Sequence, residues 1–435
     1  MDIGFYRWNE TDEATKQRIM RRSEANIAAV MAQIQPILGD VEVNGDTALI
    51  NYAKKFDKAN ITDLKVSDAE FAEARQTLDP KVKAAIDHCA ANVRIFHEEQ
   101  MRRVEKDREW MIEIEPGVFA GEKITPISSV GLYVPGGKNQ YPSAVYMLGI
   151  PANLAGVKNI AMVSPPRPDG KIGDALLYAA EISGIKNVYK VGGAQAIAAL
   201  TFGTKTIPAV RKVLGPGSPY VAAAKQALSG TIDPGMPAGP SDALILADHT
   251  ANPHNTVLDI LNEAEHGPDS AALLVTHDEQ LAAYVHQNLP IEIKKLPEPQ
   301  NGWLQTNMAQ YGGVVLTTSM DESIEFCNAY AAEHLLVKVE NPDDITPKLI
   351  NAGEILIGEY TPNSLGNYGI GVNHVLPTGG KAHSYSCTSV WDFLKRTSLA
   401  NVTAEGFKRL KDDVATLTNY EGFPAHENVL KNREI

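Results

Sequence analysis

Residues 128–137 read S-S-V-G-L-Y-V-P-G-G, a short apolar run that stops in a Pro-Gly-Gly loop. A run of this kind, bounded by turn residues, reads as a buried strand. The unit then repeats. The pattern predicts a helix over 142–155, a strand over 159–163, a helix over 174–183 and a strand over 187–191. Gly192 and Gly193 open a helix over 194–202. Val213-Leu214 leads through Gly215-Pro216-Gly217 into a helix over 220–228. Strand, glycine turn and helix recurring roughly every 25–30 residues indicate βαβ units and a parallel sheet. Glycine-rich turns of this kind bind phosphates and dinucleotides in such sheets. They also make plain tight turns, and none here spells GxGxxG.

Working outward, a second α/β stretch covers about 242–385. Strands are expected at 243–247, 271–275, 313–316 and 355–357. Helices are expected from 253 to the Gly267-Pro268 stop and over 279–289, 319–334 and 347–352. Upstream, residues 1–115 read as mostly helical, over 10–30, 40–56, 68–75 and 80–99. From 389 onward the chain also reads as helical, most clearly over 405–419.

A chain of 435 residues is too long for one ordinary core, so two or more domains are expected. Its 44% hydrophobic and 21% charged residues are ordinary for a soluble enzyme. A net charge of −13 without a basic stripe argues against nucleic acid or an anionic membrane as partner. Cys89, Cys327 and Cys387 are distant and odd in number. They make no CxxC site, and a reducing cytoplasm suits them. The amino terminus carries no apolar signal core, and no run reaches membrane-spanning length.

Residues 261–270, L-N-E-A-E-H-G-P-D-S, hold the first candidate chemistry. Glu263 and His266 are three apart and share one face of a last helical turn. A carboxylate and an imidazole so placed can hold a divalent metal, zinc being the default. The same pair also reads as a solvated Glu and a helix-capping His. Spacing alone leaves both open.

Eight ordered segments narrow the choice: V-G-L-Y-V-P-G-G (130–137), V-G-G-A-Q-A-I-A-A-L (191–200), G-P-G (215–217), M-P-A-G-P-S (236–241), A-E-H-G-P-D-S (264–270), E-H-L (333–335), G-V-N-H-V-L-P-T (371–378) and E-G-F-P-A-H (421–426). On these the chain resembles histidinol dehydrogenase from about residue 20 nearly to its end. The resemblance implies an α/β fold of two incomplete Rossmann-like domains, one inserted in the other. It places an N-terminal helical arm at 1–27 and the first domain at 28–132 and 242–388. The inserted NAD-binding domain falls at 133–241, and a C-terminal helical tail at 389–435. It also implies a homodimer whose sites the partner's tail completes. The activity implied is oxidation of a primary alcohol to a carboxylate, in two hydride steps through a bound aldehyde, with NAD and zinc.

Carried over by position, Glu333 and His334 match the catalytic pair, with His334 as general base and Glu333 helping to activate water. An imidazole next to a carboxylate suits such proton transfer. The four zinc positions are Glu263, His266, Asn367 and His426. The family has Gln at the first and Asp at the third. The two changes run in opposite directions, so the set keeps one carboxylate. The cofactor positions are Tyr133, Gln195 and Ser218, the last an Asn in the family. Substrate positions are Ser241, His374 and Glu421, together with His334 and the four zinc positions. Glu421 and His426 are expected from the partner subunit. A carboxylate at Glu421 favours a cationic or hydrogen-bond-donating substrate, with L-histidinol first and another small polar alcohol second. A non-catalytic metal- or metabolite-binding protein is the third reading.

Overall fold

Ser129–Tyr133, the run that opens the repeat, is buried throughout and pairs in parallel on both sides. Strands enclosed on both faces are continuously apolar rather than alternating, as this one is. The computed structural model describes residues 3–22, 27–136 and 139–434. Gly137 of the opening run and residues 23–26 of the expected first helix lie outside the described residues.

In chain order the strands are β1 (Phe5–Arg7), β2 (Glu109–Glu115), β3 (Val118–Pro126), β4 (Ser129–Tyr133), β5 (Asn159–Ser164), β6 (Asn187–Lys190), β7 (Lys212–Leu214), β8 (Asp242–Ala247), β9 (Ala271–Thr276), β10 (Gly313–Leu316), β11 (His334–Lys338), β12 (Glu354–Ile357) and β13 (Leu394–Val402). A parallel sheet runs β6-β5-β4-β7, and a larger one runs β1-β10-β9-β8-β11-β12. Setting β1 aside, both wind in the same way: third strand, second, first, fourth, with a fifth in the larger. That is the doubly wound order cut short. The expected α/β class, two incomplete Rossmann-like sheets with one inserted in the other, is the one the chain adopts.

Helices Ile27–Tyr52 and Pro80–Lys106 cover the smaller sheet. Ile34, Leu38, Val41 and Leu49 bury with Val163, Tyr189 and Leu200, while Ile86, Ala90 and Val93 join Val130, Leu132 and Met162. Residues expected to accompany the larger sheet thus pack on the smaller one. The expected boundary at 132/133 falls inside β4.

Four further expectations need correction. The helix expected over 319–334 stops at Tyr330, where Ala331 turns left-handed at φ 51°. H-L-L-V-K then forms β11, buried between β8 and β12. The helix expected over 347–352 is replaced by Pro342–Ile345 and a 3-10 turn, Thr346–Lys348, because Asn341-Pro342 starts the helix earlier. The stretch from 389 begins with a 3-10 turn, Val390–Phe393, and then β13, which joins an antiparallel sheet β13-β3-β2 before helices Ala404–Tyr420 and Pro424–Lys431. The N-terminal arm is not wholly helical. Its Phe5–Arg7 pairs with β10, Ile3 is buried in the core, and a helix Glu13–Arg21 follows.

At the carboxyl ends of the larger sheet, charges fill the crevice. Lys338 is buried, bonds Asp259 and lies 3.5 Å from Glu359. Asp248 accepts the Thr250 and Glu340 backbone N–H groups. Among the described residues, no helix is long and apolar enough to cross a membrane.

Candidate active site

The titratable cluster sits at the opposite edge, where β8, β11 and β12 begin. Register places His334 beside Ala243 on one neighbour and Glu354 on the other. Glu333, one residue before β11, is pinned from both ends. Its Oε2 accepts from Ser241 Oγ at 2.9 Å and from the Asp242 backbone N–H at 3.1 Å. Its own N–H donates to Asp242 Oδ1 at 2.8 Å. Asp242 Oδ2 accepts from the Gly379 N–H at 2.9 Å. The Arg22 guanidinium, at the end of the N-terminal helix, stands 3.6 Å from Asp242 Oδ1 and 3.4 Å from the centre of the Tyr330 ring.

His334 is buried with its two nitrogens facing different carboxylates. Nδ1 lies 2.5 Å from Glu354 Oε1. Nε2 lies 3.7 Å from Glu333 Oε1 and 3.9 Å from Glu263 Oε1. Glu263 ends helix Pro253–Ala264 and is wholly buried. Its Oε2 accepts from Asn363 Nδ2 at 3.0 Å. Its Oε1 has no hydrogen-bond partner and faces His266 Nε2 at 3.4 Å.

Charge follows from these distances. Burial alone would lower the His334 pKa. Glu263, Glu333 and the Glu354 hydrogen bond outweigh it and raise it well above the imidazole range. Burial raises Glu333; His334 opposes this, and Glu263 and Asp242 add to it. Burial would raise Glu263 too, but His334, His266 and Asn363 bring it below the usual carboxylate range. His374 Nε2 is buried without a partner, and burial, helped by the charge of His334, pushes this ring down to about 4.

A divalent metal fits the residues present. Glu263 Oε1 is a buried, ionised oxygen with no hydrogen bond of its own, and it faces an imidazole nitrogen. Glu263, Glu333 and His334 offer ligand atoms within 4.8 Å of one another. Asn367 lies one turn beyond Asn363 on helix Asn363–Tyr368, which packs on Pro253–Ala264. Glu421 and His426 do not join this cluster. They lie exposed, Glu421 just after helix Ala404–Tyr420 and His426 on Pro424–Lys431; these two helices pack on each other and the first also on β13.

The cofactor positions collect at the carboxyl ends of the smaller sheet, the usual ligand edge of such folds. Tyr133 ends β4, and its hydroxyl accepts the Gly193 N–H at 3.1 Å. Gln195 is buried in the first turn of helix Gly193–Phe202. Ser218 is exposed at the N-cap position of helix Pro219–Ala227, its side chain making no capping hydrogen bond. Tyr133 ends β4 and Ser218 follows β7, the first and fourth strands, between which the winding reverses.

The histidinol dehydrogenase family model matches residues 20–434. The chain belongs to that family. It is therefore an enzyme, in a family of NAD-dependent oxidoreductases. A histidinol dehydrogenase of Synechocystis is 48% identical, over 96% of each chain. A histidinol dehydrogenase homolog of Colwellia psychrerythraea is 42% identical, over 99% of this chain and 96% of its own. The crystal structure of histidinol dehydrogenase from Elizabethkingia anophelis superposes with a TM-score of 0.89 at 37% identity, covering 97% of this chain and 96% of that one.

The sequence reading missed Asp242, Asn363 and Glu354, which hydrogen-bond Glu333, Glu263 and His334 respectively. Asp242 follows the Pro-Ser of a motif already quoted. Glu354 sits in I-N-A-G-E-I-L, where nothing marks a lone acid as anything but a strand residue.

Proposed function

We propose that the protein is a zinc- and NAD-dependent dehydrogenase that oxidises a small polar primary alcohol, L-histidinol first, to the carboxylate in two hydride steps through a bound aldehyde. The observation that carries this reading is the buried Glu333–His334 pair at one sheet edge, with His334 facing Glu263, whose Oε1 also faces His266. With zinc on Glu263, the charge that most favours a protonated His334 would be taken up, and in the neutral ring Nε2 would take the alcohol proton, and later one from water. Glu333, fixed by Ser241 and Asp242, helps to activate that water. Glu263, His266 and Asn367, with His426 expected from the partner subunit, would hold zinc, which polarises the substrate oxygen. Tyr133, Gln195 and Ser218 would hold NAD as hydride acceptor in the inserted domain. Ser241, His374 and Glu421 would position the substrate.

The assembly proposed is a homodimer in the cytoplasm, each tail supplying Glu421 and His426 to the other site. Apolar side chains left exposed support it: Trp110, Met111, Ile112 and Ile114 on β2, and Leu417, Tyr420, Phe423 and Val429 on the C-terminal helices.

The test is NADH formation by zinc-loaded protein with L-histidinol. Two NADH per histidinol are expected. Zinc bound at about one per subunit with no NADH would favour the second reading, a paralogous dehydrogenase of another small polar alcohol such as an amino-alcohol or sulfopropanediol. The exchanged residues Glu263, Asn367 and Ser218 speak for that reading. Neither zinc nor NADH would overturn the proposal. His334→Gln should abolish turnover and spare NAD binding, which separates an enzyme from a binding protein.

A further inference from the structure

We propose that Glu354 is a positioning residue for the general base: its carboxylate accepts the Nδ1–H of His334 and so directs Nε2 toward Glu333 and Glu263. The inference rests on the reading of His334 as the base.

The backbone imposes the pairing. β11 and β12 are adjacent and parallel, and His334 and Glu354 are register partners, so their side chains leave the same face. Nδ1 and Oε1 meet at 2.5 Å with the two side chains 3% and 7% exposed. An imidazole has one rotatable plane and two nitrogens. Engaging Nδ1 sets both the plane and the tautomer, leaving Nε2 as the nitrogen that can accept a proton. Nε2 is the nitrogen that faces the reaction side, 3.7 Å from Glu333 and 3.9 Å from Glu263.

Packing alone does not account for an acid at this position. The second oxygen of Glu354 is buried without a partner, which costs free energy that a leucine there would avoid. Space has also been cleared for it. A Cβ at Gly366, on helix Asn363–Tyr368, would lie 3.2 Å from Glu354 Oε1, tighter than side chains usually pack.

The test combines turnover with a spectroscopic signature, both on zinc-loaded protein. Glu354→Leu should lower kcat by roughly 10–100-fold, the usual range for a partner of a catalytic or ligating histidine. Its zinc content and KM for NAD should stay as in the native protein. Glu354→Gln, which retains a carbonyl acceptor, should recover most of that loss. In the native protein the Nδ1–H proton should appear far downfield in the NMR spectrum. It should vanish in Glu354→Leu and in His334→Asn, and persist with a smaller shift in Glu354→Gln. The NMR signal needs no substrate, so it survives even if L-histidinol is the wrong alcohol. Absence of the downfield proton from the native protein, or undiminished kcat in Glu354→Leu, would overturn the proposal. If Glu354→Leu does not fold, the native spectrum and Glu354→Gln still decide it.

Discussion

Asp242→Asn tests how the site is held from behind. Arg22 and Asp242 are 3% and 1% exposed, and their nearest atoms are 3.6 Å apart. At an effective dielectric constant of about 20, unit charges at that distance attract by about 4–5 kcal/mol. Removing one member of a buried pair typically costs about 3–5 kcal/mol, because the other charge stays buried. Arg22 keeps the Tyr330 carbonyl and ring as partners, which points to the lower end of that range. The amide adds its own penalty. Both Asp242 oxygens accept backbone N–H groups, from Glu333 and Gly379, and an asparagine can serve only one of them. We expect a loss of about 3–5 kcal/mol by urea unfolding at fixed protein concentration. Turnover should fall as well, since Asp242 clamps Glu333 at both its N–H and its carboxylate. Arg22→Met and the double variant complete the cycle, and the double variant should cost less than the two singles together. A loss under about 1 kcal/mol, or strict additivity, would refute the reasoning.

Burial pushes Lys225, whose Nζ donates to the Gly215 carbonyl at 2.7 Å, down from 10.5 to about 8. The unfolded chain then binds the proton more tightly, so stability should climb by about 3 kcal/mol between pH 8 and 10.5; urea midpoints across that window should show the climb and lose it in Lys225→Met. Gly215→Ala places a Cβ against the Tyr133 carbonyl oxygen at φ 115°, and should lower the urea midpoint by the equivalent of about 1–3 kcal/mol; an unchanged midpoint would mean the loop relaxes freely. Glu263→Gln removes the one carboxylate of the proposed zinc set and should weaken zinc, in chelator competition, by at least roughly 10–100-fold. Adding Asn367→Asp should restore it, and a double variant no tighter than the single would show that the two positions do not share a metal.

Most strands of the parallel sheets were legible because they are buried on both faces, as at 129–133, and several of the turns carry glycine or proline, as at 192–193. β11 was not. E-H-L-L-V-K follows a helical run without an intervening glycine or proline, and the break comes from Ala331 in a left-handed conformation that no residue type announces. The antiparallel sheet escaped for another reason. E-W-M-I-E-I-E mixes apolar residues with three glutamates on an edge strand left exposed in the single chain, so burial gives no alternation to read. Within the site, Glu333 and His334 came from motif resemblance and Glu263 and His266 from their spacing, which left a capping pair equally open until the resemblance; the fold then brings the four together. Asp242, Asn363 and Glu354 act through contacts 20 to 100 residues apart in sequence, which only the strand order supplies.

A parallel sheet has two unlike ends, and the larger one here divides its labour between them. The carboxyl ends of β8 and β11, where such folds usually seat a ligand, are sealed by Lys338, Asp259 and Asp248. The amino ends carry the acid–base cluster. Drift should therefore be sorted by strand end: changes around Lys338 register as melting behaviour alone, while changes around residues 241, 334 and 354 register as altered chemistry, with Asp242 counting in both. Directed evolution of substrate preference can leave the first edge alone and draw its whole library from the second.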